Sequence, residues 1–327
     1  MNSRGRDRPQ DQNRRSWNAV VPAHEGHRGD LAGFLKAGGS TLFPNEVGLL
    51  GELAGKTLAH LQCNAGGDSL SLASLGAEVT GVDISDEAVG AARRLSEKAG
   101  VPALFVRADL YEWLAKTANT GPRFDVAFAS YGVVCWLSDL DSWAYGIRGA
   151  LNPGGRFVLV DFHPLADVFD EHWNLARDYP RYGETVLLEE GVGDYVAESG
   201  GGLTPAGFVA GTEDFINPEP ARLYRWGLGE VLTALVGAGL EITALEEYPY
   251  SNGERPFARM RRLPGRRMLP PDDVPALPLM YGVRAEKTRR WKVTSPPPQE
   301  PVVPALQETL TDLDDAFPSA PPERTVP

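Results

Sequence analysis

The chain has 327 residues, 42% of them hydrophobic and 23% charged, with a formal net charge of -12. That is the make-up of a globular protein long enough for one large domain or two modest ones. The acidic balance argues against nucleic acid as the main partner, because phosphate backbones are met by Lys/Arg surfaces, and no run approaches the roughly 20 apolar residues of a membrane helix. Cys63 and Cys135 make neither a disulfide framework nor a zinc spacing. They fit a reducing cytoplasm, read as small core residues, and leave no metal site to expect. The polar N-terminus lacks the apolar core of a secretory signal. Its arginines, Arg4 to Arg15, read as a solvated, frayed end, and the arginine run from Arg255 to Arg267 reads as a solvated loop or an anion contact.

In chain order, residues 1–56 read as an arm and a helical cap. Leu31, Phe34, Leu35 and Leu42 give partial helical spacing broken at Gly38 and Gly39. From Thr57 short apolar runs alternate with helical segments. Strands are expected at Thr57 to Cys63, Glu78 to Asp83, Ala103 to Val106, Phe124 to Ala129 and Phe157 to Phe162. Helices are expected at Asp68 to Leu75, Asp86 to Ala99 (capped by Ser85, stopped by Gly100), Tyr111 to Thr117 and Leu140 to Leu151. Such alternation predicts a parallel sheet covered on both faces. It breaks over 163–224, an insertion rich in Gly, Pro, aromatics and acids, then resumes with a helix at Gly229 to Ala238 and strands at Glu241 to Glu246 and Leu277 to Ala285, separated by a Pro- and Arg-rich loop. The domain is thus placed at 57–285. The remainder, 286–327, is a Pro-rich tail with the composition of disorder, except that Leu306, Leu310, Leu313 and Phe317 share one helical face.

The chemistry sits at the strand ends. Leu58-Ala59-His60-Leu61-Gln62-Cys63-Asn64-Ala65-Gly66-Gly67-Asp68-Ser69 is a strand, a glycine turn and a helix start. Glycine there lets a ligand approach the backbone, and the helix offers free N–H groups. Gly81-Val82-Asp83-Ile84-Ser85 puts a carboxylate at the second strand end, where it can accept both ribose hydroxyls of an adenosine ligand. Ala108-Asp109-Leu110 puts another at the third, within the chemistry of an adenine amino group. The competing reading for Asp83 is an acidic contribution to the start of the next helix.

Together with Phe124-Asp125-Val126-Ala127-Phe128-Ala129-Ser130-Tyr131 and the turn Leu151-Asn152-Pro153-Gly154-Gly155-Arg156-Phe157, these segments resemble class I S-adenosylmethionine (SAM) dependent methyltransferases, from about Thr57 to Phe162 and less firmly to Ala285. The Gly-x-Gly-x-x-Gly fingerprint of NAD enzymes is missing. The first loop looks like that of a bacterial subgroup, with His60 where many members carry an acid and Gln62 and Asn64 where they carry glycine. His60 reads as a buried, hydrogen-bonded core residue. The resemblance implies an α/β, Rossmann-like sheet of seven mostly parallel strands with a helical N-terminal cap and an insertion after strand five. It implies SAM as cofactor, held by Trp17, Gln62, Asn64, Gly66, Asp68, Ser69, Asp83, Ile84, Asp109, Leu110, Ser130 and Tyr131. The methionine amino group is expected at the Gln62 and Ser130 carbonyls or the cap around Trp17.

Methyl transfer from a sulfonium is an in-line displacement, so the protein supplies orientation and, for a hydroxyl acceptor, a base. An acceptor pocket beyond the fourth and fifth strand ends places Tyr131, Asp161 and His163 near it, and His163 is a candidate base. The insertion is expected to roof it with Trp173, Tyr179, Tyr182, Tyr195 and Phe208, and with acids such as Glu184 and Glu213; Tyr224, Glu247 and Tyr250 are further candidates. Asp161, His163, Tyr182 and Glu184 are the catalytic candidates, and the composition favours a small aromatic or heteroaromatic acceptor, indole-type included. Three alternatives stand beside this: a homodimer interface built from the same aromatics, a SAM-binding protein that does not methylate, and a dinucleotide-dependent oxidoreductase.

Overall fold

The computed structural model describes residues 8–211 and 215–288. The expected Pro-rich tail, with Leu306 to Phe317, and Glu213 lie outside these residues. In chain order the elements are α1 (Pro9–His27), α2 (Leu31–Lys36), α3 (Pro44–Leu50), β1 (Thr57–Leu61), α4 (Gly67–Ser74), β2 (Glu78–Asp83), α5 (Asp86–Ala99), β3 (Leu104–Arg107), α6 (Leu110–Thr120), β4 (Phe124–Ser130), α7 (Leu140–Ala150) and β5 (Leu151–Phe162). After β5 come β6 (Glu184–Leu188), α8 (Tyr195–Ser199), β7 (Ala221–Arg225), α9 (Leu228–Gly237), β8 (Leu240–Tyr248), β9 (Ser251–Asn252), β10 (Arg261–Leu263), β11 (Arg267–Leu269) and β12 (Met280–Lys287). Helix starts follow the side chains that can take a free N–H: Ser85 accepts from Ala88, Asp109 from Glu112 and Asp139 from Ser142. Gly100, at φ 70°, stops α5.

The main sheet has seven strands in the order β3-β2-β1-β4-β5-β12-β8. β3, β2, β1, β4 and β5 are parallel, and β12 runs antiparallel to both β5 and β8. This is the Rossmann-like sheet of seven mostly parallel strands expected from the sequence. Both faces are covered, so the central strands are apolar throughout. On one side Leu114, Trp143, Ile147 and Leu235 of the helices pack on Phe157, Leu159 and Val283. On the other Leu49, Leu50 and Leu72 pack on Leu58, Phe128, Val158 and Val160. The chain runs outward through β1, β2 and β3 and returns to β4 beside β1. The crevice of the sheet therefore opens at the carboxyl ends of β1 and β4.

Three features differ from the sequence reading. The N-terminal segment is helical from Pro9, and its arginines are tied down: Arg14 Nε lies 2.7 Å from Asp86 Oδ2 and Arg8 Nη1 2.9 Å from Glu112 Oε1. Helix α1 is locked to the insertion by Asn13, whose amide exchanges two hydrogen bonds with the Arg222 backbone, and by Asn217, which donates to the Ser16 carbonyl. The propensity signal was weak there because α1 is held by partners distant in sequence, from Asp86, 72 positions from Arg14, to Arg222, 209 positions from Asn13. Second, the stretch read as a loop after β8 builds a three-stranded sheet, β10-β11-β9, whose hairpin reaches back over the cavity. Third, the insertion carries a β6–β7 hairpin and the short α8. No helix among the described residues is long and apolar enough to cross a membrane, and no cluster among them could hold a metal ion.

Candidate functional site

A cavity of about 430 Å³ lies at the carboxyl edge of β1, β2, β3 and β4. The chain leaves β1 through an unusual turn. Gln62 and Asn64 have φ of 53° and 48°, and Gly66 has 81° before α4 begins. Left-handed backbone is costly for a residue such as Gln and persists only where the surroundings impose it. Here they do so by hydrogen bonds: Asn64 N donates to Asp83 Oδ2 at 2.8 Å, Ala65 N to Asn64 Oδ1 at 2.7 Å, and Gln62 Nε2 to the Val133 carbonyl at 3.1 Å. A side chain at Gly66 would meet Ala92 Cβ at 2.7 Å and the Phe105 ring at 2.9 Å. Glycine is therefore required on steric as well as conformational grounds.

Asp83 ends β2 with one oxygen on Asn64 N and the other on Ser85 N, 2.9 Å away. Burial pushes its carboxyl above the ordinary value despite these donors, so an acid is kept here at a cost to its charged form. Asp83 also lines the cavity, and a carboxylate with two N–H bonds keeps further acceptor capacity. Asp109 is both a cavity residue and the cap of α6, a role not anticipated from the sequence. The wall brings together Trp17, Gln62, Asn64, Gly66, Asp68, Asp83, Ile84, Asp109, Leu110, Ser130 and Tyr131. Ser69 is not among them: it is fully buried and sits 2.7 Å from Nδ1 of His60, with which it forms a core pair. Burial lowers the His60 imidazole to about 4.

The catalytic candidates fare differently. Asp161 is 3% exposed, and its carboxylate accepts from four backbone N–H groups, those of Gly132, Val133, Val134 and Phe162. It clamps the loop after β4 and does not face the cavity. His163 is likewise off the wall: Nδ1 accepts from Leu165 N at 3.0 Å, and Nε2 meets Glu247 Oε1 at 2.9 Å. Tyr182 is 62% exposed, and Glu184 is ion-paired to Arg225 at 2.8 Å, outside the cavity. Of the proposed roof, Tyr195 is present. It packs edge-on to Trp17, which also meets Trp136 edge-on at 5.5 Å. Cys135, read as core, lines the cavity in the one-turn 3-10 helix Val134–Trp136.

Sequence reasoning missed Thr41, Trp136, Asn252 and Glu254, which all line the wall, and reached Arg266, also on the wall, only as part of the run from Arg255 to Arg267 read as a solvated loop or an anion contact. Glu254 follows Gly253, held at φ 74° against Gly202. Its backbone is fixed by bonds to Asn252 and Ser251, but its carboxylate has no hydrogen-bond or ion-pair partner among the described residues. Burial and the nearby Asp161 and Glu198 push that carboxyl up to about 7. The only available signal was Asn252-Gly253, a turn dipeptide with no hint of a cavity beside it.

The residues present fit SAM: an acid for ribose, a second acid at the adenine end, a glycine turn, and Gln62 Oε1 buried with no partner. A methyltransferase domain family model matches residues 59–157. A ubiquinone biosynthesis O-methyltransferase of Methylobacterium sp. (strain 4-46) is 36% identical over 105 residues, 32% of this chain and 40% of that protein. A SAM-dependent Diels-Alderase of Talaromyces variabilis is 34% identical over 115 residues, 35% of this chain and 39% of that protein. The chain thus spans about two fifths of the length of these curated relatives. Among solved structures, a SAM-dependent methyltransferase from Mesorhizobium loti covers 76% of this chain and 99% of its own, at 22% identity and a TM-score of 0.49. The matched stretch, residues 59–157, runs from β1 into β5 and carries the glycine turn and the strand-end acids, so this part of the chain is similar to a methyltransferase domain.

Proposed function

We propose that the chain transfers a methyl group from SAM to a small aromatic or heteroaromatic acceptor, with Glu254 as the carboxylate that takes the acceptor's proton. The supporting observation is Glu254 itself: a partnerless carboxylate on a wall that also carries Trp17, Trp136 and Tyr195. The cofactor supplies an electrophilic methyl carbon. The acceptor N–H or O–H forms the new bond to that carbon, the bonding pair of the breaking C–S bond stays on sulfur, and the released proton goes to Glu254. Flat rings stack on the aromatic wall, and the enclosed site holds the nucleophile in line. This reading replaces the roles first considered for Asp161, His163, Tyr182 and Glu184. The small-molecule acceptor, and the partial likeness to an O-methyltransferase, are part of the proposal.

The test is methyl transfer from radiolabelled SAM to a metabolite extract, followed by the same assay of Glu254→Gln. A base must be ionised, so turnover is expected to rise with pH through about 7. The variant should lose about 100-fold or more in rate together with that limb, while its affinity for S-adenosylhomocysteine stays unchanged. Stability gives an independent check. The folded value is raised above the ordinary 4.5, so the carboxylate costs stability increasingly between about pH 4.5 and about 7 and constantly above. Glu254→Gln should therefore melt higher than wild type at pH 8 and no higher at pH 4. A second reading is favoured by the partial likeness to the Diels-Alderase: SAM bound but not consumed. Product formation without release of S-adenosylhomocysteine identifies it.

A further inference from the structure

Arg266 lies in the β10–β11 turn directly after Gly265, with a left-handed φ of 64°, a conformation a non-glycine residue keeps only where it is imposed. Its guanidinium stacks on Phe43, 4.2 Å from Cζ to the ring centroid. It donates from Nη1 to the Gly202 carbonyl at 3.1 Å and from Nη2 to the Thr41 carbonyl at 2.8 Å. Among the described residues it has no ion pair, whereas the other arginine of the wall, Arg28, pairs with Glu25 at 3.4 Å. A half-buried guanidinium braced by a ring and two carbonyls, with donors left over and only the nearby, non-contacting carboxylates of Asp68 and Glu46 to favour its charge, has the geometry to take a planar anion.

Its position along the cavity identifies the anion. The sheet order sets Asp109 at the β3 end, Asp83 at the β2 end and the Asn64–Gly66 turn at the β1 end, and Arg266 stands past that turn. Thr41, whose carbonyl it holds, donates Oγ1 to Asp68 Oδ1 at 2.5 Å, in the first turn of α4. At this end the wall therefore presents one guanidinium, the Asp68 carboxylate, and Gln62 Oε1, which is buried without a partner. One cation beside two acceptors is the complement of an α-amino acid zwitterion.

We propose that Arg266 binds the α-carboxylate at the methionyl end of SAM, while Asp68 and Gln62 Oε1 take its ammonium. The proposal rests on reading the cavity as the SAM site. It makes the β9–β11 sheet a cofactor-binding element, contributed by a segment that is far from the nucleotide-binding turns in sequence.

Calorimetric titration of the full chain with S-adenosylhomocysteine and with 5′-methylthioadenosine tests it, because the second ligand has the same nucleoside and sulfur but no amino acid. Arg266→Ala is expected to weaken S-adenosylhomocysteine by about 10- to 100-fold and to leave methylthioadenosine unchanged, with Arg266→Lys between wild type and Ala. If both ligands weaken equally, Arg266 only braces Phe43 and Thr41, and the proposal is wrong. It is equally wrong if neither changes. If wild type binds neither ligand, the cofactor assignment itself fails and takes the proposal with it. Arg266→Lys keeps the charge, so a folding failure confined to Arg266→Ala leaves the comparison intact.

Discussion

Asp83→Ala is expected to weaken S-adenosylhomocysteine binding by about 10- to 100-fold, the equivalent of roughly 1.5–3 kcal/mol for hydrogen bonds to a charged acceptor. The melting temperature should change little, because two effects oppose each other. The substitution strands the Asn64 and Ser85 N–H groups that the carboxylate accepts, and it removes a carboxylate whose ionisation is disfavoured by burial. Calorimetric titration and a thermal melt of the same sample separate the two outcomes. An unchanged dissociation constant would remove Asp83 from the ribose site. A collapse of the melt would show that its main role is to hold the Gln62–Gly66 turn.

Asp161→Ala is expected to have the largest effect on stability. Four backbone donors converge on this one side chain. They hold a loop in which Tyr131 and Gly132 have φ of 42° and 64°. Losing them leaves several half-buried N–H groups without partners, a cost of roughly 2–4 kcal/mol in total. For a domain of this size that lowers the melting temperature by roughly 3–8 °C. Asp161→Asn should recover only part of it, because its NH₂ group would face donors where the native oxygen faces them. A variant with the native melt and no turnover would return Asp161 to the catalytic role considered from sequence, so thermal unfolding is the deciding measurement.

What was legible in the sequence is local. The strands β1 and β4 and the second half of β5 are buried almost throughout and therefore read as apolar runs. The helices between them begin at Ser85, Asp109 and Asp139 because those side chains accept a free N–H within the same turn. Asp83 and the Gly66 turn could be found because a parallel sheet brings successive strand ends to one edge, whatever covers it. Tertiary structure decided the rest. Asp161 and His163 stood at a strand end in the sequence and looked available, but the Asp161 oxygens and His163 Nδ1 accept from backbone N–H groups, and His163 Nε2 donates to Glu247, a residue 84 positions away. Tyr182 and Glu184 had the right chemistry, and the β6–β7 hairpin turned them to the surface. Glu254 and Arg266 carried no periodic signal at all. They reach the cavity through left-handed backbone at Gly253 and Arg266 and through close contact with Gly202 and Thr41, geometry that depends on which distant segments meet and that no local pattern of residues encodes.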